Sequence, residues 1–131
     1  MIQGYGSDPA QASVVAEILI DGTHEFYDFA AKYLPDEHTE LSIPADLPEH
    51  LATTVQDLSV QAFEALSGEG LARVDFFVLR DDRVVINEIN TMPGFTPSSV
   101  FPRSWAASGL DYPQLVDRLV QLALRRETGL R

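Results

Sequence analysis

The residue pattern predicts an α+β fold in which an antiparallel sheet carries packed helices. Three observations lead there: a helical stripe across residues 48–66, two β-rich runs flanking Asp81-Asp82, and a second helical stripe from Tyr112. Residues 1–13 are rich in turn formers and read as a loop. Val14–Ile20 is a β-branched run that reads as a strand closed by Asp21-Gly22. His24–Ala30 carries Phe26, Tyr27 and Phe29 and extends as a second strand, and residues 31–47, with Pro35 and Pro44, read as a long ordered loop. From Pro48, the expected first helical residue, Leu51, Val55, Leu58, Ala62 and Leu66 recur every three or four positions, and Gly68 and Gly70 end the helix. A hairpin follows over 71–80 and 83–90, then a loop over 91–97, a short helix to about Ala107, and a break at Gly109. Tyr112–Arg126 is amphipathic, with Leu115, Leu119, Leu122, Val116, Val120 and Ala123 expected inward and arginines in its last turn. The expected order is β-β-loop-α-β-β-loop-α-α. A strand so near the N-terminus presents an unpaired edge unless another segment covers it, so the chain reads as part of a larger architecture.

Composition narrows the function. The 131 residues suffice for one domain with a modest core. No apolar run reaches the length of a membrane span, and no signal-peptide pattern opens the chain. The absence of cysteine excludes disulfides and thiolate metal sites and is consistent with a cytoplasmic location. A net charge of −11 argues against nucleic acid as a partner. Residues 1–70 hold thirteen of the twenty acids and a single base, Lys32, whereas residues 71–131 hold seven acids and eight arginines. The plain reading of the acidic half is a solvated surface. His24, His38 and His50 lack metal-ligand spacing and read as surface groups, and Trp105 reads as packing.

The hairpin carries the chemistry. With the turn centred on Asp81-Asp82, Asp75 lies opposite Glu88 and Arg73 opposite Asn90, all four on one face. Facing carboxylates repel, and a divalent cation between them reverses that cost. Asp, Glu and Asn offer only oxygen, which suits magnesium better than zinc or copper. The plainer alternative is a solvated hairpin face on which Arg73 pairs with Asp75, Glu88 or both.

Arg73-Val-Asp-Phe-Phe and Asn87-Glu-Ile-Asn-Thr-Met-Pro-Gly-Phe-Thr resemble the D-alanine–D-alanine ligases, members of the ATP-grasp superfamily. The resemblance continues through Ser99, Phe101-Pro102, Trp105 and Gly109-Leu-Asp-Tyr112, and upstream through Glu25-Phe-Tyr-Asp-Phe and Ala31-Lys-Tyr33. It runs from about Asp8 to about Leu124. Val15-Ala16 departs from it, because the family commonly has proline-glycine before the glutamate matching Glu17.

The resemblance implies that residues 1–131 form the C-terminal part of an ATP-grasp domain, with the family's N-terminal and central domains absent. Its activity is ATP-dependent joining of two D-alanines through an acyl phosphate, for peptidoglycan precursors. ATP and two magnesium ions, with manganese an admissible substitute, are the implied cofactors; a missing N-terminal segment or a homodimer partner is an implied companion. Asp75 and Glu88 then bind one ion, Glu88 and Asn90 the other. Arg73 faces the transferred phosphoryl group, and Gly94 offers its N–H to an oxyanion, the alternative being a Pro-Gly turn with positive φ. Ser99 binds the carboxylate of the second D-alanine, the alternative being an ordinary helix-start residue. Lys32 contacts ATP phosphate, and Tyr33 helps close the site and select the second substrate; the alternative for Lys32 is an exposed loop lysine. Two competing functions remain: another ATP-grasp carboxylate–amine ligase, and a non-catalytic binding or assembly module that keeps the fold.

Overall fold

The structure, a computed structural model, describes residues 2–5, 8–20 and 39–126. The expected second strand at His24–Ala30, the Asp21-Gly22 turn, and Lys32 and Tyr33 lie outside those residues. Six strands and three helices are described: β1 (Ile2–Tyr5), β2 (Asp8–Ala12), β3 (Glu17–Ile20), β4 (Thr39–Ser42), α1 (Glu49–Ala65), β5 (Gly70–Val78), β6 (Val84–Asn90), α2 (Val100–Ala107) and α3 (Tyr112–Arg125). A four-stranded antiparallel sheet has the order β2-β1-β5-β6, and β3 pairs with β4 in a separate ribbon.

The start of the chain corrects the sequence reading: Ile2–Tyr5 and Asp8–Ala12 are antiparallel paired strands where a loop was expected. β1 is an interior strand, pairing Gly4 with Gly70 and Ile2 with Ala72, so its order comes from both neighbours and not from local propensity. Pro9 falls in β2, an edge strand of this sheet, where a missing N–H is tolerated. The strand expected over Val14–Ile20 shortens to β3, and β4 arises inside the stretch read as loop, pairing Glu17 with Ser42 and Leu19 with Glu40. Between β2 and β3, residues 13–16 are irregular but tied down. Gln56 donates to the Ser13 carbonyl at 2.8 Å, Ser108 Oγ accepts from the Val14 N–H at 2.9 Å, and the Ala45 N–H donates to the Val15 carbonyl at 2.8 Å.

Alternation along β5 divides the core in two. Ala72 and Val74 face α1 and cluster with Phe63, against which Val60, Phe76 and Ile89 pack. Leu71 points the other way, into a cluster of Phe101, Trp105 and Leu115 from α2 and α3 that also takes in Phe95 and Leu110. The buried stripe of α1 is Leu51, Val55, Ser59 and Phe63. Leu66 from the expected stripe is exposed, while Ser59 is buried because its hydroxyl donates to the Val55 carbonyl at 2.7 Å. On α3, Leu115 and Leu122 are buried, but Val116, Val120 and Ala123 are exposed, since a stripe one residue wider than 115-119-122 turns out of the contact.

Helix ends follow local chemistry. Pro48 is the N-cap residue of α1, so the helix begins at Glu49, one residue later than expected. The left-handed residue that caps α1 is Ser67 (φ 51°) and not Gly68, while Gly70 (φ 78°) takes a left-handed conformation three residues later; the Ser67 N–H donates to the Glu64 carbonyl and the Gly68 N–H to the Phe63 carbonyl, both at 2.9 Å. Gly68 is needed for a different reason, because a Cβ there would lie 2.6 Å from the Phe63 ring. The same cap ends α2, with Gly109 at φ 90° and the Leu110 N–H donating to the Trp105 carbonyl at 2.9 Å. A capping box of Asp111 and Gln114 opens α3.

Ser67→Gly should raise stability by about 0.5–1 kcal/mol by relieving a left-handed residue, whereas Gly68→Ala should lower it by about 1–3 kcal/mol through overpacking. Urea unfolding of the two variants checks both signs.

Candidate active site

The β5–β6 ladder pairs Arg73 with Asn90 and Asp75 with Glu88, as the turn-based reading expects, but by another route. Near the turn the pairs are Val78–Val84, Phe77–Val85 and Phe76–Ile86, one residue out of that register. Asp82 sits at φ 63° and its N–H donates to the Leu79 carbonyl, so the loop is a tight turn closed by a left-handed residue. The ladder then shifts between Asp75 and Phe76, leaving Asn87 as the extra residue of a bulge. Turn and bulge each move the register by one and cancel at Asp75.

Arg73, Asp75, Glu88 and Asn90 thus share the face opposite α1. Arg73 Nε and a terminal guanidinium nitrogen donate to the two Asp75 carboxylate oxygens at 2.8 and 2.9 Å, a fork on a carboxylate. The same terminal nitrogen donates to Glu88 Oε1 at 3.2 Å. The guanidinium therefore spans both acids and offsets the repulsion that pairing them across strands creates. These side chains are only partly open to solvent, at 18% for Arg73, 25% for Asp75 and 38% for Glu88. Asn90 Oδ1 accepts from the Met92 N–H at 2.9 Å, which fixes the amide oxygen and starts the following loop. Among the described residues, no three His, Cys, Asp or Glu side chains are grouped to hold a metal. The oxygen set here is two carboxylates and one amide, a composition that fits a hard cation; Asn90 Oδ1 keeps a second lone pair for it.

The loop after β6 brings Gly94 and Ser99 together. A Cβ on Gly94 would lie 3.1 Å from Ser99 Oγ. Gly94 is not among the glycines with positive φ, so close approach, and not the turn geometry weighed from sequence, calls for a residue without a side chain. Ser99 is the N-cap residue of α2 yet makes no side-chain cap bond. Its Oγ instead accepts from the Thr96 N–H at 3.1 Å and shares a hydrogen bond with the Thr96 hydroxyl at 2.8 Å. Thr96 Oγ1 also meets Ser98 Oγ at 3.1 Å.

Three residues that sequence reasoning assigned no site role position this loop. Thr96 sets the Ser99 hydroxyl. Phe95 packs among Leu71, Phe101 and Trp105, and its ring lies 5.6 Å from that of Tyr112. The Tyr112 hydroxyl donates to the Phe95 carbonyl at 2.8 Å. A hydroxyl three residues before another was a readable signal for the Thr96–Ser99 turn; the Tyr112 bond spans seventeen residues and left no local trace.

Tyr112→Phe should lower stability by about 1 kcal/mol, the net worth of one hydrogen bond, with helix content unchanged. An unchanged urea midpoint would mean that Phe95 packing alone holds the loop.

Comparison with known proteins reflects this arrangement. The family model described as D-ala D-ala ligase C-terminus matches residues 2–121. A D-alanine--D-alanine ligase of Kocuria rhizophila is 56% identical over 131 residues, covering 100% of this chain and 34% of its own length. The solved D-alanine-D-alanine ligase of Coxiella burnetii superposes with a TM-score of 0.75 at 36% identity, covering 94% of this chain and 30% of the other. That of Bacillus anthracis complexed with ATP gives 0.68 at 33% identity, covering 86% and 36%. The chain spans about a third of the length of the curated relatives it matches. With its arginine, paired acids and Pro-Gly loop built on an α+β, ATP-grasp framework, the chain belongs to the D-ala D-ala ligase C-terminus family.

Proposed function

We propose that this chain is the C-terminal catalytic segment of a D-alanine–D-alanine ligase, supplying half of a nucleotide cleft for peptidoglycan-precursor synthesis. The observation that carries the reading is the Arg73 guanidinium held between Asp75 and Glu88, on the sheet face that also seats the Phe95 loop. In the proposed reaction, a carboxylate oxygen of the first D-alanine attacks the γ-phosphorus of ATP and ADP leaves. The amine of the second D-alanine then attacks the acyl carbon, and inorganic phosphate leaves. Positioning and charge neutralisation supply most of such catalysis.

Each residue has a part. Asp75 and Glu88 would hold one magnesium, and Glu88 and Asn90 the other, supplying positive charge to neutralise phosphate oxygens of ATP. Arg73 donates to the transferred phosphoryl group through its planar, permanently charged fork. The Gly94 N–H faces the developing oxyanion. Ser99, at the open end of α2, takes the carboxylate of the second D-alanine, where backbone donors add to its hydroxyl. Lys32 contacts phosphate, and Tyr33 closes over the second substrate. No helix among the described residues is long and apolar enough to cross a membrane.

The 131-residue segment alone should release no phosphate from magnesium-ATP. Fused in place of the C-terminal third of the Kocuria rhizophila relative, it should restore D-alanine-dependent release, and Glu88→Ala should abolish it. A chimera that folds but stays silent would favour a non-catalytic module. Release driven by another amino acid and not by D-alanine would favour a different carboxylate–amine ligase.

A further inference from the structure

Arg73 occupies the same oxygens that the proposed cation needs. Its fork covers both Asp75 carboxylate oxygens at 2.8 and 2.9 Å, and one nitrogen of that fork reaches Glu88 Oε1 at 3.2 Å. The Arg73 side chain is 18% exposed, and Leu71, two residues before it on the same strand face, joins the core cluster of α2 and α3. A guanidinium and a divalent cation sharing one carboxylate repel each other, and partial burial strengthens that repulsion relative to open water. The fork is also the donor set that would meet a phosphoryl group.

We propose that Arg73 competes with the divalent cation for Asp75, so that cation loading loosens the Arg73–Asp75 fork and releases the guanidinium toward phosphate. This rests on reading Asp75, Glu88 and Asn90 as cation ligands. Arg73 then does two jobs in sequence. Before loading, it keeps two facing carboxylates compatible across the strands. After loading, its planar fork turns from Asp75 toward an anion. A bare cation is disfavoured by the competition, whereas a cation arriving with phosphate satisfies both the carboxylates and the displaced arginine.

The test is Mn2+ binding to the 131-residue chain without nucleotide, counted by the electron paramagnetic resonance of free ion. Arg73→Met should bind Mn2+ about tenfold more tightly than the unsubstituted chain, because a positive charge beside the ligands is gone. Arg73→Lys, a point charge without the fork, should fall between them. Saturating Mn2+ should also recover a melting temperature that Arg73→Met loses in its absence. Equal affinity in all three, or weaker binding in Arg73→Met, would overturn the competition while leaving the cation site standing. No Mn2+ bound by any of them would overturn the cation assignment itself. If Arg73→Met fails to fold, the comparison with Arg73→Lys decides the sign alone.

Discussion

The pairing of β5 with β6 is the constraint on which the rest depends. Ala72 and Val74 on one side of β5 are sealed under α1 with Phe63, and Ile89 of β6 joins them. A slip of one residue would turn those apolar side chains to solvent and drive Arg73 and Asp75 into the apolar layer. Core packing on one face therefore holds the ionic constellation in register on the other. The cost of opposing Asp75 and Glu88 is met locally by Arg73, two residues from Asp75 on the same strand and face.

The second dependency is the rigidity of the loop over residues 91–99. It starts on the Asn90 amide, is held in the middle by Phe95 and the Tyr112 hydroxyl, and finishes on the Thr96–Ser99 pair. Pro93 is buried and Gly94 is exposed, so the chain dips into the protein and returns with a bare backbone beside Ser99. In the proposed reaction, such anchorage would present a backbone N–H and a hydroxyl without reordering on binding. Tyr112 opens α3 behind the Asp111 cap, which links the loop to the packing of the last helix.

What the sequence disclosed follows the range of the interactions involved. The hairpin, the three helices and the sharing of one face by Arg73, Asp75, Glu88 and Asn90 were legible, because alternation and helical spacing are local patterns. The register at Asp75 was reached through two compensating departures: the left-handed Asp82 and the bulge at Asn87. β1 was missed because it is ordered by pairing with β5, more than sixty residues away, and β2 because it adds to the sheet through β1. β4 was missed because Thr-Glu-Leu-Ser has no apolar alternation and takes its shape from β3. Ser67 in place of Gly68 as the left-handed cap, and Ser59 in place of Leu66 in the buried stripe of α1, both depend on hydrogen bonds that residue type alone does not announce.

The central claim is that Asp75, Glu88 and Asn90 form the cation-binding edge of an ATP-dependent ligase cleft, with Arg73 beside it. An anomalous-scattering map from crystals of the chain soaked in Mn2+ tests that most directly. The account requires a peak bounded by oxygens of Asp75 and Glu88, with Arg73 drawn off Asp75. Crystals that hold manganese elsewhere, with the Arg73–Asp75 fork intact, would contradict it.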